Sequence, residues 1–498
     1  MAFNSFEFLV FFPIVVLIFY LLPAKARRVW LLIASYYFYM RWNAMYALLI
    51  AGSTLVTYFS GILLSKCKKE EIKKRKWIVA GSFIINLGIL IFFKYFNFIL
   101  GTIGAIAEAF GGNAFNPLDI ILPVGISFYT FQALGYTVDV YRGDIKAEKN
   151  IIKYALFVSF FPQLVAGPIE RSSNLLKELD KIATLKASKL FSYDNMVSGL
   201  SLMAWGMFMK MVIADRMAIF VDGIFSNLQS LGFVEGLLGA VGFAIQIYCD
   251  FSAYSNIARG AARVMSVELM ENFNTPFFSQ SIADLWRRWH ISLTSWFRDY
   301  LYIPMGGSRC SKPRKYLNIM ITFLASGLWH GANWTFVIWG GINGLYQIIG
   351  DLIKPVREKI RKVLKVNEEV FSYAFGQSVV TFLLFSISMI FFKSGSIGQA
   401  FTYIKYMFTR WNWWSIFNES LFGYGLDRVE VNILLAGIIA LIIVDILRYK
   451  QGYDFGDILL SQNLWFRWLV LIVLVVACAV YGEYGMNFDS AQFIYFQF

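Results

Sequence analysis

Charge is what this sequence has least of. Only 15% of its 498 residues are Asp, Glu, Lys or Arg, while 58% are hydrophobic; a soluble domain carries about a quarter charged residues. Such a chain cannot cover its own surface with polar groups in water, which excludes a soluble globular protein and leaves lipid as the solvent. Its four cysteines, Cys67, Cys249, Cys310 and Cys478, are scattered without metal-ligand spacing, and two lie beside basic runs. Neither a disulfide framework nor a metal site is therefore expected. Gly/Ser-rich linkers, low-complexity tracts and internal repeats are also missing. The apolar character runs nearly end to end, so a single integral membrane domain over 1–498 is expected. The first apolar stretch, 6–22, lacks a basic n-region and a small-residue cleavage site, and reads as a first membrane helix rather than a signal peptide.

Aromatic residues are abundant instead: 49 Phe, 27 Tyr and 15 Trp suit belts at two membrane interfaces. The net charge of +13 points away from nucleic acid, because the basic residues fall in short runs between apolar segments, as in cytosolic loops. Segments 6–23, 29–64 (a hairpin or broken pair), 78–100, 120–140, 191–221, 236–258, 374–392, 431–447 and 464–481 are long enough to be spans; 151–168 and 317–350 are apolar but punctuated. The expected fold is an all-α polytopic bundle of about 11–16 helices, some half-crossing or re-entrant, enclosing a cavity. Lys25, Arg27, Arg28, the run Lys66 to Lys76 and the cluster Lys354 to Lys365 belong inside, which places both termini outside a multi-pass cell-membrane protein. The tail, 482–498, then lies outside. Between 120 and 190 simple alternation of charge fails, which half-crossing helices explain.

Histidine is the other scarcity: there are two. His290 closes Asp284-Leu285-Trp286-Arg287-Arg288-Trp289-His290, ahead of Ser295-Trp296-Phe297-Arg298-Asp299-Tyr300-Leu301; His330 lies in Ser326-Gly327-Leu328-Trp329-His330-Gly331-Ala332-Asn333-Trp334. The basic regions 284–315 and 354–365 share a face, so 317–353 enters and leaves by it or crosses an even number of times. From Leu317 to His330 is about 20 Å of helix at 1.5 Å per residue, which sets His330 deep in the bilayer. An ionisable group there is costly and marks a functional site by default. Neutral imidazole suits proton abstraction from a hydroxyl; the alternative is a hydrogen bond gluing helices together. The Gly-flanked, Trp-rich setting favours catalysis. His290 is a second candidate, set against the ordering of an interfacial loop. Gln246, Asp250 and Ser252 form a polar patch that lines a cavity or bonds a neighbouring helix.

Beyond these residues, 284–307 and 327–341 resemble the membrane-bound O-acyltransferases, as do Leu122-Pro123-Val124-Gly125-Ile126-Ser127-Phe128, Phe161-Pro162-Gln163-Leu164-Val165-Ala166-Gly167-Pro168-Ile169 and Gln246-Ile247-Tyr248-Cys249-Asp250-Phe251-Ser252. The similarity is closest to the bacterial branch of alginate O-acetyltransferases and teichoic-acid D-alanyl transferases, and the full length favours the former. The resemblance implies a helical bundle with His330 as the essential histidine at a constriction and His290 toward a cytosolic funnel. It implies a cytosolic thioester donor, acetyl-CoA or another acyl thioester, and no metal.

The chain ends Phe493-Ile494-Tyr495-Phe496-Gln497-Phe498. Read alone, an apolar terminus is a peptide tucked against the bundle or the lipid interface; by the resemblance, Tyr495 is a candidate acyl carrier. The group would pass to an extracellular or membrane-anchored acyltransferase partner (SGNH-hydrolase-like) and onto a polysaccharide, giving O-acetylation of a cell-envelope polymer. Arg287, Arg288 and Arg298 stand where an anionic donor would be attracted, and where the positive-inside rule alone also puts arginine. A transporter or flippase for a lipid-linked glycan is the alternative from another class; D-alanyl transfer to teichoic acid is the alternative within this one.

Overall fold

The computed structural model describes residues 1–113, 116–483 and Phe493; Tyr495 lies outside the described residues. Among the described residues there are twenty-two α-helical segments and no strand. Seven helices are long and apolar enough to cross a membrane: Tyr46–Lys66, Ile72–Ala109, Tyr193–Ser226, Phe233–Val264, Phe371–Lys393, Arg428–Gln451 and Leu464–Tyr481. Trp334–Leu352 and Lys354–Val363 make an eighth if taken as one span, bent by 49°. This is an all-α, polytopic membrane protein. The stretch 29–64 resolves into Ala24–Met40 and Tyr46–Lys66. Ile151–Ser159 has only nine residues, about 14 Å at 1.5 Å per residue, half of what a crossing needs.

The described residues form two compact units, one of 1–203, 254–270 and Phe493, the other of 204–253 and 271–483. In the first, buried Arg27 donates to the carbonyls of Ile182 (3.0 Å) and Leu185 (2.8 Å), satisfying the end of Ser172–Thr184. Glu170, buried outside the spans, accepts from the Met270 amide and the Asn174 side chain; burial pushes its carboxyl up to about 7. Phe493 is buried with its ring edge-on to Tyr254, centroids 4.9 Å apart.

The second unit holds both histidines. Its most costly feature is ionic. Lys210, 2% exposed, lies 2.7 Å from Asp215 Oδ1 and 2.6 Å from Asp250 Oδ1, all buried. Lys210 belongs to a π-helical turn, Met209–Ala214, which redirects side chains relative to a regular helix. Asp250 is thus an ionic tie between Tyr193–Ser226 and Phe233–Val264. Tyr248, two residues before Asp250 on the same helix, donates to Asp445 (3.0 Å to Oδ2) on Arg428–Gln451.

Removing one member of a buried ion cluster costs more than the cluster contributes, because the remaining charges stay desolvated. Lys210→Met strands two carboxylates together and is expected to cost about 3–5 kcal/mol. Asp250→Asn leaves the neutral Lys210–Asp215 pair and should cost distinctly less. Thermal unfolding of the detergent-purified variants checks the order; equal losses would show that the cluster's charge balance is immaterial.

Candidate active site

The site is built on a helical hairpin. Lys312–His330 stops where Gly331 turns extended, and Asn333 then caps Trp334–Leu352 by accepting from the Thr335 amide at 3.0 Å. Glycines let the two helices touch. A Cβ on Gly327 would stand 2.2 Å from the Phe336 carbonyl oxygen, and one on Gly340 would stand 2.3 Å from that of Phe323. Asn318, fully buried, donates to the carbonyls of Met305 and Gly307, both at 3.2 Å, and so fastens the loop that leads into the hairpin.

His330 ends its helix at this close contact and is 4% exposed. It sits in an aromatic box. Trp339 meets it at right angles with centroids 5.1 Å apart; Trp329 lies at 5.1 Å and Phe392, from Phe371–Lys393, at 5.4 Å. The His290 ring is 6.1 Å away. The two histidines, 40 positions apart in sequence, therefore share one buried site.

His290 reaches it through an unusual backbone. It stands between Ile282–Arg288 and Ile291–Phe297 at φ 43°, ψ 54°, the left-handed region, which a non-glycine residue adopts only when its surroundings impose it. Asn272 imposes it here: its carbonyl accepts from the Ile291 amide at 2.9 Å, and its side chain accepts from the Ser292 amide at 3.3 Å. The imidazole, 1% exposed, is pressed edge-on to Phe251 at 4.6 Å, and Trp329 lies at 5.8 Å. Neighbouring Trp289 packs on Phe385 at 4.8 Å. His290 is thus held in a defined, buried position.

The arginines are placed differently. Arg287 and Arg298 are exposed and Arg288 half-buried. Arg288 donates to Asp284 at 3.1 Å and stacks over Tyr449; Arg298 donates to Asp299 at 2.8 Å. None belongs to the aromatic box around His330.

Trp339 of the box and Trp286, which packs on it, present polar groups that their sequence setting does not announce. Trp286 (7% exposed) and Trp339 (1%) have rings 5.7 Å apart, and their indole N–H groups have no hydrogen-bond partner among the described residues. Thr335, Trp339 and Asn343 recur at every fourth position, all buried, so one helix face carries all three. That spacing was the available signal, hidden by the number of tryptophans that serve simply as membrane aromatics.

A protein-family model described as MBOAT, membrane-bound O-acyltransferase family, matches residues 148–392, a range that includes both histidines. The chain is 37% identical over 414 residues to a probable alginate O-acetylase AlgI of Pseudomonas aeruginosa, covering 83% of this chain and 76% of that relative. It is 33% identical over 426 residues to a peptidoglycan O-acetyltransferase of Helicobacter pylori, covering 80% and 77%. A teichoic acid D-alanyltransferase of Bacillus subtilis is 28% identical over 231 residues, covering 45% of this chain and 58% of the relative.

Proposed function

Because the chain belongs to the membrane-bound O-acyltransferase family and is an acyltransferase of the O-acetyltransferase kind, we propose that it takes acetyl from a cytosolic thioester, acetyl-CoA, and passes it across the membrane for O-acetylation of an extracellular or cell-wall polysaccharide. Two relatives that cover most of this chain are named for acetylation of alginate and of peptidoglycan, so their common chemistry is a sugar hydroxyl receiving an acetyl group. The similarity to a teichoic acid D-alanyltransferase covers less than half of this chain, which supports the acetyl reading over D-alanyl transfer.

One observation carries the proposal: His330 is buried in an aromatic box beside a second buried histidine. A neutral imidazole there takes the proton of an attacking hydroxyl, and the surrounding rings keep out the water that would otherwise hydrolyse the thioester. His290, held in a left-handed turn by Asn272, orients His330 or the acceptor. Arg287, Arg288 and Arg298 supply positive potential at the donor's entrance rather than contacts to the reacting atoms.

The acceptor within this chain is Tyr495. A phenol of pKa about 10 leaves more readily than a sugar alcohol, so an acetyl-tyrosine keeps much of the thioester's transfer potential. It would hand the group to an SGNH-hydrolase-like acyltransferase partner outside, which selects the polymer; this is a covalent relay. Peptide mass spectrometry of the purified chain after incubation with acetyl-CoA tests it. An acetyl mass is expected on the C-terminal peptide of wild type and on neither Tyr495→Phe nor His330→Gln. Polymer acetylation that persists in Tyr495→Phe would sink the relay while leaving His330 free to act on another hydroxyl.

A further inference from the structure

Resting on that acyl-transfer reading, we propose that the indole N–H groups of Trp339 and Trp286 are the hydrogen-bond donors that hold the acyl oxygen while the group is transferred. Attack by a hydroxyl oxygen on the thioester carbon forms a C–O bond and pushes the carbonyl π pair onto oxygen. The oxyanion then re-forms the carbonyl and breaks the C–S bond. The proton that His330 took from the hydroxyl goes to the departing sulfur. Charge on the acyl oxygen thus rises and falls within the step, and a buried site needs a donor ready for it.

Few groups in the box are available to play this part. The Gly331 amide is directed to the Gly327 carbonyl. The Asn343 side-chain N–H group donates to the Trp339 carbonyl at 2.9 Å and to Ser388 at 3.4 Å. Arg288 and Arg298 are engaged with Asp284 and Asp299, outside the rings that touch His330. What remain are the indoles and, one turn before Trp339 on its helix, the Thr335 hydroxyl; of these, the Trp339 ring is the one in contact with His330. Trp339 stands edge to face with His330, its centroid 5.1 Å away, and Trp286 lies 5.7 Å beyond on a separate helix.

Buried N–H groups without an acceptor are rare, since each forfeits its hydrogen bonds to water. Two in neighbouring rings, the nearer one packed against the buried imidazole, mark a place where an acceptor arrives with the substrate. Indole also suits a site surrounded by lipid. It donates without a formal charge, so it avoids the burial cost of a lysine or guanidinium, and its ring completes the box that excludes water.

A donor aimed at a developing oxyanion does more for the transition state than for the ground-state carbonyl, so its loss appears in kcat rather than KM. The test replaces Trp339, in the full-length detergent-purified chain, with 3-benzothienyl-alanine, which keeps the bicyclic shape and puts sulfur in place of N–H. Acetyl transfer from acetyl-CoA is measured alongside thermal unfolding. The expected result is a fall in kcat of about 10²–10³-fold, with KM and unfolding temperature near wild type. A merely structural indole would leave kcat unchanged in this analogue. Should the replacement at 339 lower the unfolding temperature, the same replacement at Trp286 reads the same effect on a second helix. His330→Gln serves as the companion variant. If it is inactive while both sulfur analogues turn over at wild-type rates, the indole assignment alone is overturned. If all of these variants keep the wild-type rate, the histidine reading falls with it.

Discussion

His330→Gln is expected to lower acetyl transfer by about 10³–10⁴-fold while leaving the protein folded. Glutamine approximates the volume of imidazole and keeps a hydrogen-bonding end, but it cannot accept a proton at neutral pH. A positioned general base is worth about 10²–10⁴, and a water-excluding box leaves no solvent molecule to substitute for it. The fold should tolerate the change, since His330 is the last residue of its helix and its side chain packs among rings. His290→Asn is the informative contrast. Asparagine accepts the left-handed backbone observed at 290 better than most residues, so the turn should persist and the loss should be smaller, about 10–100-fold, as for a group that positions rather than reacts. Transfer of radiolabelled acetyl from acetyl-CoA, normalised to monodisperse protein on size exclusion, gives both numbers. A full rate in His330→Gln would remove the proton-abstraction role and assign the base to another group.

Much of this architecture is legible before any coordinates. The runs 431–447 and 464–481 emerge as Arg428–Gln451 and Leu464–Tyr481, because a long apolar run in lipid has almost no option but helix. Only 6% of Leu464–Tyr481 is buried, so its sequence answers to lipid and hardly to neighbours. The helix counted from Leu317 to His330 is present as Lys312–His330. What fails to show is partnership. Lys210 and Asp250 are 40 residues apart, and Tyr248 and Asp445 are 197 apart; a charge in an apolar segment announces a need for a partner but not which one answers it. The polar patch at 246–252 left two readings open for the same reason, and at Asp250 the ion pair to Lys210 decides for the helix tie. The left-handed His290 is invisible too, since the conformation comes from Asn272, whose two bonds are made after a chain reversal. Trp339 and Trp286 hide among 15 tryptophans, because a composition that populates membrane interfaces masks the few indoles that serve a site.

The hairpin's glycines carry the second large expected effect. Gly340→Ala should destabilise the protein by about 3 kcal/mol, the upper end of the usual overpacking range, and lower acetyl transfer about 100-fold. The obstruction is rigid: the new Cβ would lie 2.3 Å from the Phe323 carbonyl oxygen and 3.2 Å from Gly327 Cα, and helical backbone cannot yield as a side-chain tip can. In lipid, small residues at such crossings supply the van der Waals contact that holds helices together, so separating them weakens the hairpin as a whole. The catalytic consequence follows from adjacency. Trp339 is the neighbour of Gly340 and His330 lies three residues beyond Gly327, so a shift of about 1 Å at the crossing displaces the indole from the imidazole, and that scale of misplacement costs about 10²-fold. Two controls lie on the same helix. A Cβ at Gly341 meets only Leu324 Cδ2, at 3.5 Å, and one at Gly350 meets nothing within 4 Å. Gly341→Ala should be near neutral, and Gly350→Ala should gain up to about 1 kcal/mol from helix propensity alone. Unfolding temperatures and transfer rates of the three variants decide the matter: a graded order of 340, 341 and 350 ties activity to the close crossing, whereas three similar proteins would show that the box is held together elsewhere.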